Sequence, residues 1–307
     1  MTIGHMREKF WVVTMISNPV RYDTRYRLYK QFKKRMVEAG VNLFTVEIQQ
    51  GHRDFAVTTA GDANCLQLRT TNEIWHKENA INLGVQRLPV DWKYVAWIDA
   101  DIDFIRKDWV DETLQQLQHY EVVQMFTQAL DLDPQLGVLQ THQGFMYSYL
   151  SGRPYGKAYS FWHPGFAWAC TRKAWDAIGG LPARCIAGAA DHHLALSLIG
   201  KAGSSLPGGI SKGYRDYIMN IQERAERLIE RDVGFVNGAI MHHFHGAKRK
   251  RFYVERWSIL IGNQFDPNTD LITDWQGLLQ LAGNKPKLRD EMRAYFRSRD
   301  EDSISID

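Results

Sequence analysis

Apolar runs and helical periodicities alternate through the first half of this 307-residue chain, and that alternation restricts the fold more than any single residue does. Residues 10–16 (FWVVTMI) form an apolar run of the kind a strand covered on both faces requires. Tyr22, Tyr26, Tyr29, Phe32 and Met36 then recur at three- and four-residue steps, one face of a helix that Gly40 closes. Residues 41–48 give a second strand, and Ile74, Ile81, Val85 and Leu88 line a second helix that Pro89 ends. A strand over 93–99, a helix face at Val110, Leu114 and Leu117, and a strand over 121–126 continue the pattern. Strands separated by helices predict an α/β fold with a mostly parallel central sheet flanked by helices. Ligands in such sheets sit beyond the carboxyl ends of the strands. A hydrophobic content of 44% supplies the apolar surface for a large core.

The second half is less regular. Residues 131–165 are rich in Gly, Pro, Tyr and Ser and read as long loops at the active site. Thr171 caps a short helix, TRKAWDAI, which Gly179 and Gly180 stop. Helices follow over 190–199 and 215–231, and residues 233–244 read as one late strand ending in MHHFHG. The remainder reads as helical, with a polar, frayed tail RSRDEDSISID.

The stretch VAWIDADIDF, residues 95–104, carries the chemistry. Val95–Ile98 runs into the core, and Asp99, Asp101 and Asp103 follow on alternate positions that a strand would place on one side. Crowded carboxylates raise one another's pKa unless a cation offsets them. Hard oxygen ligands of this kind suit Mg²⁺ or Mn²⁺, commonly bridged to phosphates. The competing reading is a solvated strand end whose acids cap the helix beginning near Asp108.

An apolar strand ending in D-A-D resembles the DxD motif of GT-A glycosyltransferases, and three further segments match that resemblance in order. VVTMISNPVRYDTRY is similar to the opening strand and loop, WHKENAINLG to the K/R-x-x-x-x-N-x-G helix, and FAWACTRKAWDAIGGL with AGAADHHLAL to the acceptor-side segment. MHHFHGAKRKRFYVERW resembles the C-terminal strand and loop. The likeness is nearest to family-2-like and galactosyltransferase-like members and to uncharacterised phage and bacterial ones. It implies a GT-A catalytic domain over 1–265, with a nucleotide-sugar half (about 8–130), an acceptor half (131–265) and a helical extension and tail over 266–307.

The resemblance also implies roles. Asn18, Arg21, Arg25, Lys77 and Asn82 would face the base, phosphates or sugar of the donor, and Asp99 its ribose or a water on the metal. Asp101 would bind the metal directly, with Asp103 either a second ligand or a solvent-facing acid. His245 is the favoured imidazole ligand because Gly246 lets the backbone turn there, with His242 in reserve. Lys248, Arg249, Lys250 and Arg251 would close over the phosphates, or else form a solvated basic loop or a nucleic-acid patch. Asp191 would deprotonate the acceptor hydroxyl, or else cap its own helix, with His192 the alternative base. This family usually carries a run of acids at that point, whereas Asp191 stands alone between Ala190 and His192. The aromatic segments SFWHPGFAW and MYSYL offer a stacking platform or core.

The implied activity is hexosyl or pentosyl transfer from a nucleotide sugar, UDP favoured, to a hydroxyl acceptor, inverting if one base assists direct attack. The acceptor would be a surface-glycan precursor, a protein side chain or a hydroxymethylated pyrimidine in phage DNA. A net charge of +3, from 38 basic and 35 acidic residues, does not demand nucleic acid. Two rivals are a non-catalytic sugar- or nucleic-acid-binding module on a degenerate GT-A fold and a D-x-D aspartyl phosphotransferase. The latter prefers its motif near the N-terminus with Thr or Val following, whereas Ile102 follows Asp101 here. Cys65, Cys170 and Cys185 form no C-x-x-C pair and read as free thiols in a reducing compartment. With no secretion signal and no apolar stretch near the ~20 residues a bilayer span needs, the expected location is the bacterial or phage-infected host cytoplasm.

Overall fold

The computed structural model describes residues 2–153 and 162–306. The first half runs α1 (Ile3–Glu8), β1 (Phe10–Ser17), α2 (Asp23–Glu38), β2 (Asn42–Gln50), β3 (Cys65–Thr70), α3 (Lys77–Val85), β4 (Tyr94–Ile98), β5 (Ile102–Phe104), α4 (Trp109–Gln116) and β6 (Val122–Gln124). The middle adds β7 (Gln128–Leu132), β8 (Val138–Gly144), α5 (Phe145–Leu150), β9 (Trp162–His163), β10 (Ala167–Thr171), α6 (Arg172–Ile178), α7 (Ala190–Leu198) and α8 (Lys212–Leu228). The chain closes with β11 (Val233–Phe235), β12 (Ala239–His242), α9 (Arg256–Gly262), the hairpin β13 (Leu271–Thr273) and β14 (Leu279–Leu281), and α10 (Pro286–Ser298).

The central sheet has the order β11-β6-β10-β4-β1-β2-β3. Its pairs are parallel except where β10 inserts antiparallel between β4 and β6. This is the expected α/β plan, a mostly parallel sheet with helices on its faces. The apolar run at its centre is fully covered: Phe10, Val12, Val13, Val95 and Ala96 are all buried completely. The expected Thr171 cap is present, its hydroxyl accepting from Ala174 N at 3.1 Å, and Gly179 ends α6 at φ +79°.

Three expectations are corrected. The late strand over 233–244 is two strands in different sheets, β11 beside β6 and β12 between β5 and β7. The break falls at Gly238, where φ is +149° and a Cβ would lie 2.9 Å from Arg106 Cδ. The predicted loops over 131–165 contain much of the second sheet, ordered β5-β12-β7-β8-β9; residues 154–161 of that segment lie outside the described residues. The C-terminal part is not all helix, and its tail is moored as far as Asp302 rather than frayed from Arg297 onward. Leu279, Leu288, Met292 and Phe296 join the main core, and Glu301 is 2% exposed.

Helix α3 packs directly on β1 and β2, and the G of WHKENAINLG makes room for it. A Cβ on Gly84 would stand 2.8 Å from Val13 Cγ1 and 2.9 Å from Val46 Cγ2. Gly84→Ala should therefore lower the denaturation midpoint by the equivalent of about 1–3 kcal/mol of overpacking. An unchanged midpoint in urea titration would refute this account of the glycine.

Candidate active site

Strand β4 stops at Ile98, whose carbonyl accepts from the buried Thr14 hydroxyl at 2.9 Å. Asp99 N donates to Phe166 O and Ile102 N to Asp99 O, so residues 99–101 form a turn before β5 begins. Leaving the pleat aims the acids apart. Asp103 turns to Arg35, 3.5 Å away, and takes no part in the cleft; the prospect of Asp103 as a second ligand is corrected on that ground. Asp99 goes to Lys77 and Asp101 to two histidines.

Asp101 Oδ2 lies 3.0 Å from His245 Nε2 and 3.7 Å from His242 Nε2, and the two imidazole nitrogens are 3.3 Å apart. Alternation along a strand would separate His242 from His245, but β12 ends at His242 and the turn after it returns His245 to the same point. His243 faces elsewhere, with only its backbone N bound to Asp101 O. Behind His242, its Nδ1 meets Asp131 Oδ1 at 2.6 Å, and that buried carboxylate also takes His142 Nε2 at 2.7 Å and Lys248. This second-layer carboxylate fixes the ring so that Nε2 points into the cluster. Burial alone would lower the His242 pKa, but Asp101 and Asp131 outweigh it and push it up to about 9. Burial would raise Asp101, yet the two imidazoles hold it well below the ordinary carboxylate range.

The second cluster lies along the same cleft, a cavity of about 210 Å³. Lys77, at the start of α3, places Nζ 2.6 Å from Asp99 Oδ1 and 3.3 Å from Asp191 Oδ2. Burial would lower the Lys77 pKa, and Asp191 and Asp99 reverse that and raise it. Asp191 is not a helix cap: the N-cap of α7 is Ala189, without a side-chain bond. Its carboxylate is thus available to the cleft. Ala189 and Phe166, both cleft residues, hold positive φ of 73° and 76°, a strained backbone that surrounding packing must maintain. Phe166 stacks on His163 at 3.8 Å, whereas Trp162 and Trp168 of the supposed platform are core.

Arginines wall the remaining side. Arg25, Arg251, Arg256 and Arg299 line the cleft, and Arg251 Nη2 reaches His245 Nε2 at 3.1 Å. Of the basic run at 248–251, a 3₁₀ turn, Lys248 is tied to Asp131 and Lys250 to Asp300, while Arg249 is exposed, so only Arg251 faces the cleft. Lys248 is corrected accordingly. His192 also borders the cleft, its pKa pushed down to about 4 by burial and by Arg256.

Three expected donor contacts lie elsewhere. Asn18 closes its own turn, giving Nδ2 to Tyr22 O at 2.7 Å and accepting Tyr22 N at 2.9 Å. Asn82 pins the glycine turn, its amide bonding both Leu181 O and Leu181 N. Arg21 is exposed and outside the cleft lining. Arg256, Arg299, Glu301 and Glu78 are cleft residues that sequence reasoning missed. A polar residue in a generic helical stretch or a polar tail carries no signal of what it will face.

No protein-family model matches this sequence, nor does any curated protein. Among solved structures, it is similar to the catalytic domain of Drosophila β1,4-galactosyltransferase 7 in complex with xylobiose. Identity is 12% over 63% of this chain and 61% of that one, with a TM-score of 0.33. The match thus spans less than two thirds of that domain. A variant of that enzyme, in complex with manganese, UDP-Gal and xylobiose, matches at 13% identity over 63% and 62%, with a TM-score of 0.32. A protein described as a nucleotide-diphospho-sugar transferase of Desulfovibrio desulfuricans matches at 11% over 95% and 98%, TM-score 0.35. At TM-scores below 0.5 these matches assign no role to any residue of this chain.

Glu78 gives this site a pH signature. It is 3% exposed, its Oε2 lacks a hydrogen bond, and burial pushes its pKa up to about 8 despite Lys77. An acid whose pKa rises on folding adds stability at low pH that is lost as pH climbs from about 4.5 to about 8. The melting-temperature advantage of Glu78→Gln over the native protein should therefore grow across that interval and level off above it. A difference independent of pH would contradict the buried, protonated state.

Proposed function

We propose that this protein is a metal-dependent glycosyltransferase that moves a sugar from a nucleoside-diphosphate donor to a hydroxyl acceptor. The observation that carries the reading is the convergence of Asp101, His242 and His245 in one cleft with Asp191 and an arginine wall. The ligand atoms of Asp101, His242 and His245 all lie within 4.8 Å of one another, and Asp101 Oδ1 is buried without a hydrogen bond. One carboxylate and two imidazoles fit a divalent cation, and the nitrogen share favours Mn²⁺ over Mg²⁺. When bound, such an ion acts as a Lewis acid that offsets charge on the departing diphosphate.

The chain's own residues supply the rest. Arg25, Arg251, Arg256 and Arg299 offer fixed, always-charged donors to phosphate oxygens, cationic charge placed where charge develops on the leaving group. Asp191, oriented by Lys77 rather than by its helix, takes the proton of the acceptor hydroxyl as the anomeric carbon is attacked. Lys77 also holds Asp99 at the strand end, and Asp99 is assigned to the donor's ribose by resemblance alone. A single base and direct attack give inversion. His192 is the reserve base. UDP is the favoured nucleotide, by resemblance alone. Lys248 and Lys250 are each paired with an acid, so the basic run at 248–251 offers the cleft only Arg251. No helix among the described residues is long and apolar enough to cross a membrane.

Incubation with Mn²⁺ and a panel of UDP-sugars should release UDP even without acceptor. Asp101→Ala should lose at least ~100-fold of that turnover with unchanged circular dichroism, the upper range for a lost ligand shell. Turnover of no nucleotide sugar by the native protein, or full turnover in Asp101→Ala, would overturn the proposal. The pH dependence is also specified. A His242 proton with a pKa of about 9 competes with the ion, so Mn²⁺ affinity should rise with pH below about 9, by up to ~tenfold per unit. Calorimetric titrations at pH 6, 7 and 8 that give one constant affinity would contradict it.

A further inference from the structure

The cation cluster has a carboxylate behind each imidazole, and the second comes from the far end of the chain. Binding an ion through Nε2 obliges His245 to carry its proton on Nδ1. That nitrogen is buried and without a hydrogen bond, and Glu301 Oε2 faces it at 3.7 Å. A buried N–H needs an acceptor, and metal-bound histidines ordinarily give that proton to a carboxylate. Asp131 plays this part for His242. Resting on the metal reading above, we infer that Glu301 is a positioning residue for His245, which makes the C-terminal segment part of the cation site.

The surroundings of Glu301 fit a fixed device. Its carboxylate accepts Arg25 Nε at 2.5 Å and Nη2 at 2.6 Å, and Arg299 Nε at 2.5 Å. Both arginines border the cleft, so one carboxylate holds an imidazole ligand and two phosphate-directed cations in a common frame. The segment is moored on either side of it. Tyr22 Oη accepts from Asp300 N at 2.9 Å, and Asp302 receives Asp23 N and Thr24 N at 2.9 and 2.8 Å, at the start of α2.

Gly246, next to His245, is where the two chain segments touch. Its φ is +87°, and a Cβ there would meet Asp300 O at 2.9 Å and Glu301 Cα at 3.0 Å. The glycine following the ligand thus serves the tail's approach as well as the local turn. Any side chain at 246 would push Glu301 off His245.

The test is Mn²⁺ titration of the full chain, with free ion followed by electron paramagnetic resonance, beside thermal melts. Glu301→Gln should weaken Mn²⁺ binding by about 10–100-fold, the usual cost of losing a ligand's outer partner. Tyr22→Phe, which loosens the mooring without touching Glu301, should lower the melting temperature and leave Mn²⁺ affinity within about twofold, well short of the outer-partner effect. Native-like affinity in Glu301→Gln overturns the inference while leaving the metal site standing. Equal weakening in Tyr22→Phe also overturns it, by making the effect one of general docking. If the native protein binds no Mn²⁺, or His245→Ala binds it as tightly, the metal reading and this inference fall together. Should Glu301→Gln not fold, Glu301→Asp retains the charge beside Arg25 and Arg299 one methylene further from His245. Weakened binding in that variant then supports the inference and native affinity refutes it.

Discussion

Asp99 and Asp101 leave the sheet at the end of a fully buried strand, and their partly buried carboxylates, 27% and 22% exposed, are each met by positively charged groups at the cleft. A carboxylate taken out of water costs several kcal/mol unless it is paired and hydrogen-bonded. The rest of the site is arranged around that requirement. Helix α3, brought close to the sheet by Gly84, delivers Lys77 to Asp99; the end of β12 delivers two imidazoles to Asp101. The proton that Asp101 and Asp131 hold on His242, against the effect of burial, offsets part of this negative charge. A site that holds a proton this firmly between nitrogen and oxygen ligands is one a cation can enter by displacing it.

The arrangement also links parts of the chain that sequence keeps far apart. Lys77 bridges to Asp191, Asp131 orients His242, and Glu301 joins Arg25 to Arg299 beside His245. Each link is a charged hydrogen bond in a poorly hydrated place, strong enough to fix geometry and costly to break on one side. The cleft is consequently framed by elements from both ends of the chain, with strained backbone at Phe166 and Ala189 on its rim.

Much of this was legible beforehand, for identifiable reasons. Buried parallel strands announce themselves as apolar runs, so β1, β2, β4 and β6 could be placed to within a few residues. Asp101, His242, His245, Lys77 and Asp191 could be singled out because the segments that carry them resemble GT-A motifs, and the structure brings all five to one cleft. The second sheet was hidden because Gln128–Leu132 and Val138–Gly144 mix polar and exposed residues and lack the continuous apolar signature. Asn18 and Asn82 were misplaced since an amide serves a turn or a ligand equally well, and only tertiary contacts decide. Arg299 and Glu301 were missed for the opposite reason. A polar tail reads as solvated until its charges are seen to pair with residues such as Arg25.

The central claim is that Asp101, His242 and His245 together hold a divalent cation. Electron spin-echo modulation of Mn²⁺ bound to ¹⁴N- and ¹⁵N-histidine-labelled protein counts the nitrogens on the ion. Two imidazole nitrogens should be seen, falling to one in His242→Ala. Mn²⁺ surrounded by oxygen alone, or two nitrogens persisting in that variant, would contradict the account.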